Sequence, residues 1–206
     1  MSMTAVVGGV LVAGLVVFLV GAVAWRLDYQ LPAEESLPLI HADRRRRTWI
    51  HAWMIAAMFL TPAGLFGLSH LSEFQDVASA AAMSAVLYAI GAVCMMVSLC
   101  FRLTVVPWAA ERTVADGKPP DGFAALDAWA GSLYVTHMLA SYTTFALLGA
   151  TVLASDLLAP WSGWVGLGMG IAFLAGFVAT RFAGPFNPPF MAHLYPALLG
   201  VVLLLT

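Results

Sequence analysis

His51, His137 and His193 fall inside long apolar runs. Imidazole can accept a proton, ligate a metal or donate a hydrogen bond while staying neutral, so it is cheaper to bury than a carboxylate. No aspartate, glutamate, lysine or arginine falls in the middle of those runs, which makes the histidines the ionisable groups expected in the hydrocarbon. A residue of that kind in a membrane helix is by default a candidate for function. Each comes early in its run, and at 1.5 Å per residue the three share one layer roughly 5–12 Å deep at one face. His137 is expected deepest. Its loss is expected to cost more function than that of His51, which is four residues after Arg47 and also suits a headgroup-facing position. Tyr134 precedes His137 by three residues and so shares its face. Tyr134, Tyr142 and Tyr195 offer hydroxyls to imidazole nitrogens that lipid cannot satisfy.

Such a layer suits the iron of a b-type haem, with zinc or copper as other imidazole-binding metals, or a quinone head group. Haem propionates also call for cations, and Arg26, Arg102 and Arg181 close three apolar runs, beside Trp25, Phe101 and Phe182. The same arginines are accounted for by snorkelling and by the bias of cations to the cytoplasmic side. The runs that follow them each carry an aromatic residue just before the histidine: Trp49, Tyr134 and Phe190. That gives a crude repeat of residue types.

Other constellations carry less chemistry. Cys94, Cys100, Met95 and Met96, with Met54, Met58, Met138 and Met191 near the histidines, resemble a soft set for cuprous copper, but methionine is also an ordinary gap-filler. Cysteines six apart on a helix are too far separated for a disulfide. Gly166 and Gly170 form a small-residue pair that fits close helix packing better than a cargo site. Pro62 and Pro196 interrupt apolar runs, as in transporters with broken helices, yet the absence of a midplane acid weighs against ion coupling. Neither a nucleophile elbow, HExxH, nor a phosphate loop is present.

These residues must be positioned by helices in lipid. The 206-residue chain is 62% hydrophobic and 10% charged, against about 45–50% and about 25% for soluble domains. A formal charge of −2 supplies no basic surface for nucleic acid. The expected fold is all-α: one domain, a bundle of six transmembrane helices over Thr4–Trp25, Thr48–Leu68, Ala78–Phe101, Trp129–Ala154, Gly163–Thr180 and Phe190–Thr206. All 9 lysines and arginines then fall on one side, while the loops 69–77 and 155–162 carry Glu73, Asp76 and Asp156. Both termini are therefore expected outside a bacterial cytoplasmic membrane. Asp28–Asp43 reads as an extended connector, and Thr104–Asp127 as a short amphipathic stretch opened by Pro107 and closed by Gly117, Pro119 and Pro120.

The expected function is that of a membrane redox protein or redox-complex subunit binding b-type haem or quinone through the inner-face histidines. Membrane lipid and other membrane subunits are the expected partners. A small-solute transporter or channel is the second reading, and a structural or assembly subunit the third.

Overall fold

The structure, a computed structural model, describes residues 2–23, 31–71, 76–155 and 158–206. Those residues fold into α1 (Met3–Ala22), α2 (Ala33–Ala42), α3 (Arg44–Ser69), α4 (Ala78–Asp116), α5 (Phe123–Leu153), α6 (Pro160–Ala179), two 3-10 turns (Gly184–Phe186 and Pro189–His193) and α7 (Leu194–Leu205), with no strand among them. Four helices, α1, α3, α4 and α6, are long and apolar enough to cross a membrane, and Pro189–Leu205 forms a shorter apolar helical stretch. The molecule is a helical membrane protein. α5 is not among the four, because Thr136, His137, Ser141, Tyr142, Thr143 and Thr144 lower its hydropathy.

Local chemistry sets several helix ends. Ser2 accepts the Ala5 N–H at 3.1 Å and so caps α1. α4 stops at Gly117, whose φ of 72° is the left-handed conformation that a helix terminus favours for glycine. Pro160 opens α6 at a position where its missing N–H costs nothing.

The expected connector 28–43 is corrected over its described part, where residues 33–42 are helical. Pro32 precedes the first turn, Glu34 and Glu35 complement its dipole, and Leu37 and Ile40 bury one face against α4. That burial holds the helix through Pro38. Pro107 likewise fails to end α4, which continues for 39 residues, about 58 Å and well beyond a hydrocarbon core of about 30 Å. Val106, Ala109 and Ala110 pack with Leu37, Ile40, Phe101, Phe123 and Ala130 in a second apolar cluster at that end. α5 begins at Phe123, six residues before the expected Trp129.

The main core is held by close approach. A Cβ on Gly149 would lie 2.3 Å from the Leu167 nitrogen, and one on Gly170 2.3 Å from the Ala146 nitrogen, so α5 and α6 touch backbone to backbone. The glycine-rich face of α6 thus serves packing. Gly14 meets Thr61 and Gly21 meets Ile50, which runs α1 antiparallel to α3. Met54, Met58, Met95 and Met138 are buried in this core, and both cysteines are free, with Cys100 exposed.

The last expected span differs most. Residues 184–193 form 3-10 turns rather than α-helix, and α7 starts at Leu194. Pro196 falls in its first turn, where a missing donor is harmless, so it does not interrupt the helix. Pro185, Pro188 and Pro189 remove three further N–H donors from the 3-10 segment 184–193. Two of its carbonyls are met from α5: Tyr142 donates to the Phe186 oxygen at 2.6 Å and Tyr134 to the Asn187 oxygen. Two carbonyls of this irregular backbone are thus satisfied by side chains of the protein itself.

Candidate functional site

His193 caps α7 at the point where the 3-10 turn ends, and its ring is fully buried. Its Nδ1 lies 2.9 Å from the Thr61 hydroxyl of α3 and 3.3 Å from the Tyr88 hydroxyl of α4. Tyr88 also donates to the Ala192 carbonyl at 3.1 Å. The Phe18 ring of α1 stacks 4.8 Å from the imidazole. Nε2 is buried and has no hydrogen-bond partner among the described residues.

His137 approaches the same tyrosine from α5, its ring centroid 6.1 Å from that of Tyr88 against 6.4 Å for His193. Gly91 makes this approach possible, since a Cβ there would press on the Ala140 Cβ at 2.8 Å and the His137 carbonyl at 3.3 Å. The His137 side chain is fully buried and neither ring nitrogen has a hydrogen-bond partner among the described residues. An unsatisfied buried polar atom costs about 1–3 kcal/mol.

The single histidine layer is corrected. His51 precedes Thr61 by ten residues on α3, so the level of His193 is about 15 Å further along that helix. Counted the same way, Tyr88 lies about 15 Å from the Ala78 end of α4 and Thr61 about 12 Å from the Ser69 end of α3. Residues 184–193 lead from the half-buried surface into the core, where Ala192 and His193 are buried. His51 is buried elsewhere, in a cleft with Arg44, Arg47, Thr48 and Arg102.

The expected hydroxyl donors are corrected too. Tyr134 and Tyr142 serve backbone carbonyls, and the Tyr195 hydroxyl packs against Gly166 without a hydrogen-bond partner among the described residues. Thr61 and Tyr88 are the hydroxyls beside the imidazole. Nothing in their sequence spacing marks them. Arg102 binds Asp127 at 2.8 Å, away from the deep pair. Arg181 is exposed beyond the end of α6 with a φ of 52°, and Arg26 lies outside the described residues.

A haem held between His137 and His193 would need the volume that the Phe18 and Tyr88 rings fill, so the packed pair does not fit that group. Nor do three of His, Cys, Asp or Glu gather to hold a metal ion among the described residues. What the site presents is a line of rings, Phe18, His193, Tyr88 and His137, with hydrogen-bonding nitrogens along it. Comparison with known families, with characterised proteins and with solved structures finds no match for the chain.

Proposed function

We propose that the chain crosses a bacterial cytoplasmic membrane six times, through α1, α3, α4, α5, α6 and the Pro189–Leu205 stretch, with both termini outside. Two features support this. The hydroxyls that lower the hydropathy of α5 bond within their own helix, Ser141 to the His137 carbonyl, Thr143 to Leu139 and Thr144 to Ala140, and so need no water. The described lysines and arginines belong to the start of α3, the second half of α4 with its following turn, and the turn after α6, which this topology puts on one face. Reporter fusions after Lys118 and at Thr206 are expected in opposite compartments. Finding both in one compartment removes the model.

Within that frame, the protein is a quinone-binding subunit of a membrane redox assembly whose other subunits supply the electrons. The observation that carries this reading is the set of buried, unpartnered nitrogens of His137 and His193 around Tyr88. A quinone head group is a single ring, smaller than a haem, and it enters only as the packed rings of Phe18, Tyr88, His137 and His193 part to admit it. Its carbonyl oxygens accept hydrogen bonds from imidazole N–H groups, and those groups donate protons as the carbonyls become hydroxyls. Purified protein is expected to carry extractable quinone, or to bind a short-chain quinone, detected by the ultraviolet difference between oxidised and reduced forms.

A small-solute transporter is the second reading, favoured by the 3-10 segment 184–193 held by tyrosine hydroxyls. Protein that binds no quinone and drives solute uptake into liposomes establishes this reading instead.

A further inference from the structure

We propose that two bands of outward-facing tryptophan seat the bundle in the bilayer, so that lipid head groups meet it at Trp53 and Trp129 on one side and at Trp161 and Trp164 on the other. Trp129 is 50% exposed, Trp161 52% and Trp164 64%. Half-buried Trp53 meets the exposed ring of Trp49 edge-on at 5.3 Å. An indole turned out of a protein has an apolar body and one N–H donor. It suits the level where acyl chains give way to head groups better than it suits water or hydrocarbon.

Contacts between neighbouring helices set the levels. A Cβ on Gly163 would touch the Leu153 side chain and the Gly149 oxygen, so the first turns of α6, which carry Trp161 and Trp164, lie level with residues 149–153 of α5. Trp129 precedes those residues by about 30–36 Å of unbroken helix, which matches a hydrocarbon core of about 30 Å. Beside Trp129, the Ser98 hydroxyl of α4 bonds the Ala130 carbonyl. Thr48 and His51 line one cleft with Arg102 and Leu103, which brings Trp49 and Trp53 to that same end. Charge obeys these limits independently. Among the described residues no aspartate, glutamate, lysine or arginine lies between Ala78 and Phe101 on α4, between Ala128 and Leu153 on α5, or anywhere in α6. The Arg102–Asp127 ion pair stands immediately beyond Trp129, and Asp76 comes just before α4 at the opposite end. Between them α4 turns Val86, Ile90, Val93 and Val97 outward, 40 to 55% exposed, an apolar face that acyl chains cover. Trp108 lies about 9 Å past Arg102 along α4, beyond the band. The bands therefore put His137 about 12 Å below the head groups, and leave the last turns of α4 outside the bilayer with α2 packed beside them.

The bands rest on α5 crossing the membrane, as proposed above, and not on quinone binding. The test uses the full chain in phosphatidylcholine vesicles whose acyl chains carry bromine either near the head group or near the chain end. Single-tryptophan variants keep Trp129 or Trp164 and change the other tryptophans to phenylalanine. Each is expected to be quenched at least about twofold more by the shallow bromines than by the deep ones. Ile90→Trp, halfway from Ala78 to Arg102 along α4, is expected to reverse that ratio in a chain whose native tryptophans are all phenylalanine. Trp129 or Trp164 quenched best by the deep bromines, or Ile90→Trp by the shallow ones, overturns the bands. If those chains do not fold, nitroxide labels on Trp129→Cys, Trp164→Cys and Ile90→Cys, each in a Cys94→Ser and Cys100→Ser background, decide the same question. Collision with a water-soluble nickel complex is expected to exceed that at Ile90→Cys for the first two, and the reverse order overturns the bands. Reporter fusions after Lys118 and Ser155 found in one compartment overturn the crossing of α5 and the bands with it. Opposite compartments with misplaced quenching overturn the bands alone.

Discussion

His137→Leu is expected to abolish quinone binding while leaving the protein as stable as before or more so, whereas His193→Leu is expected to lose both. The two imidazoles are equally buried and pack on the same tyrosine, but His193 meets two side-chain hydroxyls and His137 meets none. Leucine at 137 fills comparable volume and removes two unpartnered polar atoms, a gain of about 1–3 kcal/mol for each that stays unsatisfied in the resting protein. At 193 the same change removes the imidazole partner of the Thr61 hydroxyl and one of the two partners of the Tyr88 hydroxyl, costing about 1–3 kcal/mol. A polar residue that weakens the fold it occupies is a sign of function, since stability and activity commonly trade against each other. Melting temperature in detergent and quinone binding, measured on both variants, check the prediction. If His137→Leu destabilises as much as His193→Leu and binding falls only in proportion to folded protein, His137 is a structural core residue and the site loses half its ligands. His51→Leu provides the contrast, because it lies at another depth and is expected to retain quinone binding.

The helices and most of the deep pair are legible in the sequence for a simple reason. A long apolar run has few alternatives to a buried or lipid-facing helix, and a histidine within one is conspicuous. His137 stands out in this way, and the glycines at 166 and 170 announce close packing. Depth is not legible, because it depends on whether the chain advances by 1.5 Å per residue or by the steeper path of 3-10 and irregular backbone. The ten residues from Gly184 to His193 take the second course, and with them the imidazole moves from the expected face to the middle of the bundle. Hydroxyl partners are equally hidden. Threonine and tyrosine occur throughout α3, α4 and α5, and nothing in their spacing distinguishes Thr61, which meets the imidazole, from Thr143, which bonds back to its own helix. The helical character of α2 was obscured by two prolines, although Leu37 and Ile40, three apart, already marked one apolar face. Its stability comes from α4, a partner far away in sequence.

The double variant Tyr134→Phe and Tyr142→Phe is expected to produce the largest loss of stability of any change that removes so few atoms, and to take quinone binding with it. Each hydroxyl serves one carbonyl of the 3-10 segment, Asn187 and Phe186 respectively. In water a freed carbonyl finds a new partner, but here the segment lies against α5 and α6, with the Phe186 ring pressed on Gly176. Each stranded oxygen costs about 1–3 kcal/mol, so the pair together costs about 2–6 kcal/mol. The rings themselves remain in both substitutions, and a phenylalanine ring at position 142 keeps the packing against Phe145, Phe173 and Phe177 that Tyr142 makes now. A drop in stability therefore reports the hydroxyl bonds and not a cavity. The effect on binding follows from position, because His193 is set at its depth by the segment whose carbonyls have been released. Each single variant is expected to lose roughly half as much stability. Cysteine labelling of an Ala183→Cys reporter, added to both backgrounds, is expected to speed up in the double variant as the segment loosens. Unchanged melting temperature together with unchanged labelling rate means that lipid or water satisfies those carbonyls, and the account of how residues 184–193 hold His193 at depth then fails.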